Sequence, residues 1–196
     1  MTMKRWLAGA LLLAPTVAVA QTTPAAAPSA AGQRMAAVAD SARPPAANPA
    51  DVASEDAIVA ALYDVISGPA GKARDWDRMR SLFVPGARLI PTGRGRDGAV
   101  RHRVLTVEDY VKGSGPMLEK EGFFESEVAR TTERFGNVAH AFSTYESRHA
   151  AGEAPFARGI NSIQLLNDGT RWWVVTIFWD SEREGNAIPP RYLRGR

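Results

Sequence analysis

From Phe123 onward the residue pattern takes a period of two, over four long runs joined by short turns. A side-chain period of two marks extended strands with one face turned to a core. Residues 123–135 and 138–148 meet at Gly136-Asn137, a two-residue hairpin turn. Residues 156–166 and 171–180 meet across Asn167-Asp168-Gly169. Turns this short join only antiparallel neighbours, so the C-terminal half is committed to an antiparallel sheet.

The preceding segment has a different period. Ser54 is a good N-cap with Glu55 and Asp56 in the first turn. Ile58, Ala61, Leu62, Val65 and Ile66 then recur at helical spacing until Ser67-Gly68-Pro69. A second, shorter helix starts at Asp75, with Trp76, Met79 and Phe83 on one face and Pro85-Gly86 at its end. Short strands are predicted over residues 87–90 and 99–105, separated by a Gly/Arg-rich loop. Thr106 and Asp109 form a capping box for a third helix, whose end Gly113, Gly115 and Pro116 make irregular. Helices followed by long antiparallel strands imply an α+β domain with about three helices packed on one face of a curved sheet.

The last strand, RWWVVTIFWD, is apolar on both faces. Strict alternation sends Trp173, Val175, Ile177 and Trp179 one way and Trp172, Val174 and Phe178 the other. One set can meet the helices, and the other needs a cover. The cover is either the C-terminal tail or a second copy packed sheet to sheet, and the second copy is the favoured expectation: a homodimer through the outer sheet face.

The N-terminus reads as a processing segment. Lys4 and Arg5 precede an apolar run over residues 6–13, Pro15 breaks it, and Ala18-Val19-Ala20 supplies the small residues that a signal peptidase reads. The run is too short to span a bilayer, which takes roughly 20 residues. Residues 1–20 are therefore expected to be a bacterial-type signal peptide, with a periplasmic or secreted mature protein that has no membrane attachment after cleavage. With no cysteine in its 196 residues, the chain has no disulfide, no lipid attachment point, no thiol catalysis and no Cys-built zinc site. Residues 21–54, rich in Ala and Pro, read as a disordered linker. The folded domain is expected over 55–183, with a tail over 184–196.

Charge argues against nucleic acid as a partner. The chain carries 24 Lys+Arg and 21 Asp+Glu, and both Lys4 and Arg5 lie in the leader, leaving 22 against 21. A near balance is not the basic footprint that phosphate backbones require.

Taken together, the words of the sequence resemble the nuclear transport factor 2-like (SnoaL-like) superfamily. LYDVISGPAGKARDWDRMRSLFVPGARLI is similar to its opening helices and first strand, FFESEVARTTERFGNVAHAFSTYESR to its central hairpin, and RGINSIQLLNDGTRWWVVTIFWDSE to its closing hairpin. The resemblance covers nearly all of residues 55–183. It implies a cone of curved, mixed or antiparallel sheet closed by helices around a pocket, with frequent dimerisation. Members include isomerases, dehydratases, ligand binders and proteins without activity, so fold alone does not choose a function.

Candidate chemistry follows from residue types and pairing. Gly93, Gly95 and Gly98 spell G-x-G-x-x-G, but a strand rather than a helix follows, so no nucleotide cofactor is expected. The neighbouring Arg94, Arg96, Arg101, His102 and Arg103 read as a solvated basic loop that could draw an anion. Pairing the central hairpin on its turn sets Glu133 opposite His140, Glu127 opposite Glu146 and Glu125 opposite Arg148. If that face lined the pocket, adjacent carboxylates would support proton transfer; if it faced water, they are surface pairs. His102, His140 and His149 lack metal-ligand spacing, so no metal is expected.

Scytalone dehydratase-like members use a Tyr-Asp pair on the first helix, two sheet histidines and an Asn. Tyr63, Asp64, His140 and Asn161 fall on matching elements, and no second sheet histidine does. The catalytic candidates are thus Asp64, His140, Glu127 and Glu146. The candidate pocket wall is Tyr63, Trp76, Phe83, His140, Asn161, Trp173 and Trp179. The expectation is a small, largely apolar ligand in the pocket and no cofactor. A cofactor-independent lyase or isomerase, and a purely interacting domain with a filled cone, are the alternatives.

Overall fold

The computed structural model of the protein describes residues 43–194. The expected leader and the linker up to residue 42 lie outside the described residues. Residues 48–54, expected to be part of the linker, pack on the domain. A 3₁₀ turn, Pro49–Val52, is capped by Asn48 Oδ1, which accepts from Ala50 N at 3.1 Å. Val52 is 4% exposed and joins the core. Arg78 Nε donates to Asp51 Oδ2 at 2.7 Å. Composition hid this anchor because it rests on one valine and one carboxylate whose partner is 27 residues away.

Helix α1, Glu55–Ile66, begins where Ser54 Oγ accepts from Ala57 N at 3.1 Å and buries Ile58, Val59, Leu62 and Val65. Each such side chain removed from water contributes about 1.5–3 kcal/mol. Helix α2, Trp76–Leu82, is capped by Asp75 and passes straight into strand β1, Phe83–Arg94. Phe83, expected on the helix face, therefore opens the strand, and it is fully buried in the core. Strand β2, Val100–His102, is shorter than expected.

Helix α3, Val107–Glu121, carries both halves of the capping box: Asp109 N donates to Thr106 Oγ1 at 3.1 Å and Thr106 N to Asp109 Oδ2 at 2.9 Å. It runs on through Gly113, Gly115 and Pro116, where the sequence suggested a frayed end. The reason is packing. A Cβ at Gly115 would stand 3.1 Å from the Trp76 ring, so glycine lets α2 and α3 approach closely. Arg74 fastens the same region. Its guanidinium donates to Gly68 O at 2.6 Å, Leu118 O at 3.0 Å and Ile66 O at 3.0 Å, joining the end of α1 to α3.

Strands β3 (Phe124–Phe135), β4 (Val138–Arg148), β5 (Ala157–Asn167) and β6 (Trp172–Ser181) complete a curved, open, six-stranded sheet. Its order is β2-β1-β6-β5-β4-β3, with β1 parallel to β6 and every other pair antiparallel. This is the α+β architecture expected from the sequence.

Two bulges correct the predicted strand faces. On β3, Glu127 pairs with Tyr145 but Ala129 with Thr144, leaving Val128 as an extra residue. The Glu133–His140 pair stands as predicted. Beyond the bulge the register moves by one: Glu125 faces Ser147 rather than Arg148, and Glu127 no longer faces Glu146. An extra residue reverses the alternation of every side chain beyond it. On β6, Leu165 pairs with Val174 and Gln164 with Thr176, which makes Val175 the extra residue. Trp172, Val174, Ile177 and Trp179 consequently share the inner face, where strict alternation had split them.

The outer face is covered in part by the C-terminal segment. Thr144 Oγ1 donates to Tyr192 O at 2.6 Å, and the Tyr192 ring lies 5.0 Å from that of Phe142. Phe178 remains 47% exposed.

Candidate functional site

The helices and the concave side of the sheet enclose a cavity of about 220 Å³. That is the share of liquid volume held by about seven waters. From α1 it receives Leu62, Tyr63 and Ile66, and from α3 Tyr110, Ser114 and Met117. The sheet contributes Ile163, Ile177 and Trp179 as apolar wall, with Glu125, Tyr145 and Asn161 as polar points. The wall is thus apolar, with a few convergent polar groups, the usual make-up of a small-molecule site.

Glu125 is the chemical centre of this arrangement. Removal from water pushes its carboxyl up to about 7, because the low-dielectric surroundings disfavour the charged form. Two donors oppose that: Ser147 Oγ reaches Glu125 Oε2 at 2.9 Å and Asn161 Nδ2 reaches Oε1 at 3.4 Å. A carboxyl balanced near neutrality can both take and return a proton. Tyr110 also lines the cavity, and its hydroxyl has no hydrogen-bond partner among the described residues. Burial first, and then the nearby Glu125, raises its pKa, so it stays a neutral O–H donor. Its ring meets Trp179 edge to face at 6.5 Å.

Behind Glu125 runs a chain of hydroxyls. Ser143 Oγ donates to Glu127 Oε1 at 2.6 Å, Tyr63 OH lies 2.6 Å from Ser143 Oγ, and Asn161 Nδ2 donates to Tyr63 OH at 3.1 Å. Glu127 also lies 3.5 Å from Arg130 Nε. A second, open and more polar groove lies on the far side of this chain, and Tyr63, Glu125 and Glu127 border it as well.

The residues expected from sequence divide accordingly. Tyr63, Asn161 and Trp179 line the cavity together, and Glu127 joins Tyr63 through Ser143. His140 does not: it lies on the outer face, 2.8 Å from Ser162 Oγ, because its strand parity opposes that of Ser143 and Tyr145. Glu146 is on that outer face too, with Arg158 Nε at 3.2 Å, so the Glu127/Glu146 pair does not form. Asp64 points to solvent with its side chain 68% exposed and pairs with Arg78 at 2.5 Å. Trp76 packs behind α3 and donates to Glu119 Oε1 at 3.0 Å. Trp173 is on the outer face, its ring 3.6 Å beneath the Arg171 guanidinium and its N–H 2.7 Å from Asp168. Phe83 belongs to the core.

Sequence reasoning missed Glu125, Tyr110, Ser143, Tyr145 and Ser147 as site residues. One signal was present: Ser143, Tyr145 and Ser147 put polar groups at alternate positions of β4, a pattern that a purely apolar core face lacks. Among the described residues no group of three or more His, Asp or Glu could hold a metal ion.

No protein-family model and no curated protein matches the sequence. Solved structures do. One is a nuclear transport factor 2-like protein of unknown function from Silicibacter pomeroyi, 16% identical, covering 66% of this chain and 94% of that chain, with a TM-score of 0.44. A second is a protein of unknown function with a cystatin-like fold from Nostoc punctiforme, 11% identical over 64% of this chain and 86% of that one, TM-score 0.48. A third is a nuclear transport factor 2-like protein of unknown function from Methylobacillus flagellatus, 15% identical over 66% and 95%, TM-score 0.42.

Proposed function

We propose that this chain, which has the nuclear transport factor 2-like fold, binds a small, largely apolar carbonyl compound in its cavity and moves a proton on it without a cofactor. The observation that carries this reading is Glu125: a carboxyl with a pKa near 7 inside an apolar cavity, beside an uncommitted phenol. In carboxylate form, Glu125 takes a proton from the carbon next to the carbonyl. The Tyr110 O–H donates to the oxygen on which negative charge gathers. Returning the same proton from Glu125 to a second carbon moves the double bond, and the atoms balance within the ligand. Exclusion of water by Leu62, Ile163 and Trp179 strengthens both interactions. The charged, apolar and small-residue pattern at the N-terminus makes export part of the same proposal.

The test uses a panel of small cyclic β,γ-unsaturated ketones, with formation of the conjugated product followed by absorbance. Wild type is expected to turn over at least one of them, and Glu125→Gln to lose on the order of 10²- to 10⁴-fold in rate. Equal rates in the two proteins would overturn the proton-transfer reading. The apolar wall also supports binding without chemistry as a second reading. Quenching of Trp179 fluorescence by a ligand that neither protein converts would select it.

A further inference from the structure

The hydroxyl chain behind Glu125 has a fixed direction, and Glu127 sets it. A serine hydroxyl has a single proton. Ser143 gives that proton to Glu127 at 2.6 Å, so the 2.6 Å contact between Ser143 and Tyr63 must be made with the Tyr63 proton. With its proton committed, Tyr63 can only accept from Asn161, which it does at 3.1 Å. Both hydrogens of the Asn161 amide nitrogen are then assigned: one to Tyr63 and the other towards Glu125 Oε1 at 3.4 Å. Ser143 is fully buried and Tyr63 and Asn161 nearly so. Arg130 closes the far end beside Glu127, and its own side chain is almost wholly buried.

We propose that Glu127 is a positioning residue which, through Ser143 and Tyr63, holds the Asn161 amide with its N–H towards Glu125 and so controls the proton affinity of the cavity carboxyl. The inference deepens the function proposed above, since it concerns the same carboxyl, but its test needs no substrate. An amide that donates to Glu125 favours the carboxylate. An amide free to turn presents its oxygen, which favours the protonated acid. Losing the acceptor at Glu127 releases the chain from its single direction, so Glu125 should bind its proton more tightly. Direct charge repulsion predicts the opposite sign, because removing a nearby negative charge makes ionisation easier.

Three phenols face Glu125: Tyr63 from α1, Tyr110 from α3 and Tyr145 from β4. Across the groove stand Asp56, Asp64, Glu127, Arg130, Arg148 and Glu153. Of these, only Glu127 is bonded to the chain that ends on Asn161.

The experiment is a pH titration of the full chain with ¹³C-labelled glutamate side chains, the Glu125 signal being assigned by its loss in Glu125→Gln. In Glu127→Met, which keeps much of the volume and has no oxygen to accept from Ser143, the Glu125 midpoint should rise by about half a unit, a roughly threefold gain in proton affinity. Tyr63→Phe, which cuts the chain with little change of shape and leaves Glu127 charged, should produce a similar rise. In the double variant the second substitution should add nothing. A fall or no change in Glu127→Met, or full additivity in the double variant, overturns the inference. A Glu125 midpoint that moves as expected in a protein converting no ketone supports it and removes only the catalytic reading.

Discussion

Tyr63 and Asn161, 98 residues apart in sequence, meet inside the domain with the asparagine amide donating to the phenol oxygen at 3.1 Å. The contact ties the first helix to the centre of the sheet beside Glu125, at a polar part of the cavity wall. Both residues are exact in position only if α1 keeps its angle across the strands, so the stability of the domain and the geometry of its site are linked.

Glu125 should leave a signature in stability as well as in chemistry. Its carboxyl has a folded-state pKa of about 7 against an ordinary value of 4.5. The folded state therefore keeps a proton that the unfolded chain releases, and the favourable contribution is fully present below pH 4.5 and lost as pH rises through 7. The loss is on the order of 3 kcal/mol. Urea midpoints of wild type should fall between pH 4.5 and 7 relative to those of Glu125→Gln, which lacks the ionisation; parallel curves would contradict this.

Arg74 holds three carbonyls at the junction of α1 and α3. Arg74→Met keeps much of the volume and removes every guanidinium donor, so Gly68 O keeps only Phe123 N and the other carbonyls lose their contact with Arg74. Each loss costs about 1–3 kcal/mol. A total loss of about 3 kcal/mol or more in chemical unfolding is expected, along with weaker protection of α3 amides in hydrogen exchange.

Gly159 is a close-approach glycine. A methyl group there would run into the Asp180 carbonyl and lie 2.5 Å from the Tyr145 hydroxyl. Gly159→Ala should cost about 1–3 kcal/mol through overpacking. Because the clash includes Tyr145, a change in the ring resonances of that tyrosine should accompany the loss in melting temperature.

Tyr192 covers Phe142 on the outer sheet face. Tyr192→Ala bares that ring beside the already exposed Phe178, enlarging a continuous apolar patch. Light scattering should then show greater self-association than wild type at the same concentration.

The fold was largely legible in the sequence. Ser54, Asp75 and Thr106 marked the three helix starts, and two short turns marked the hairpins, because caps and turns are local chemistry. The site was legible only in part. The sequence points to Tyr63, Asn161 and Trp179, whereas it pairs Glu125 with Arg148 on a face whose direction it leaves open. Parity counted back from the turn is sound up to Val128 and wrong beyond it, since a bulge depends on packing between strands and leaves no mark in the residues themselves. Trp76 and Phe83 were recognised as buried but assigned to the wrong surface, because a strand starting directly at the end of a seven-residue helix is a tertiary outcome.

The extra residue at Val128 also shows how this scaffold could lose or gain an interior acid. Were the bulge ironed out with Val128 kept and paired opposite Tyr145, Glu125 and Glu127 would swing together to the convex side. In a sheet of this kind, whether the hollow holds an acid depends on where a strand steps out of register as well as on residue type, so the same letters on a straight strand would leave the pocket without its carboxyl.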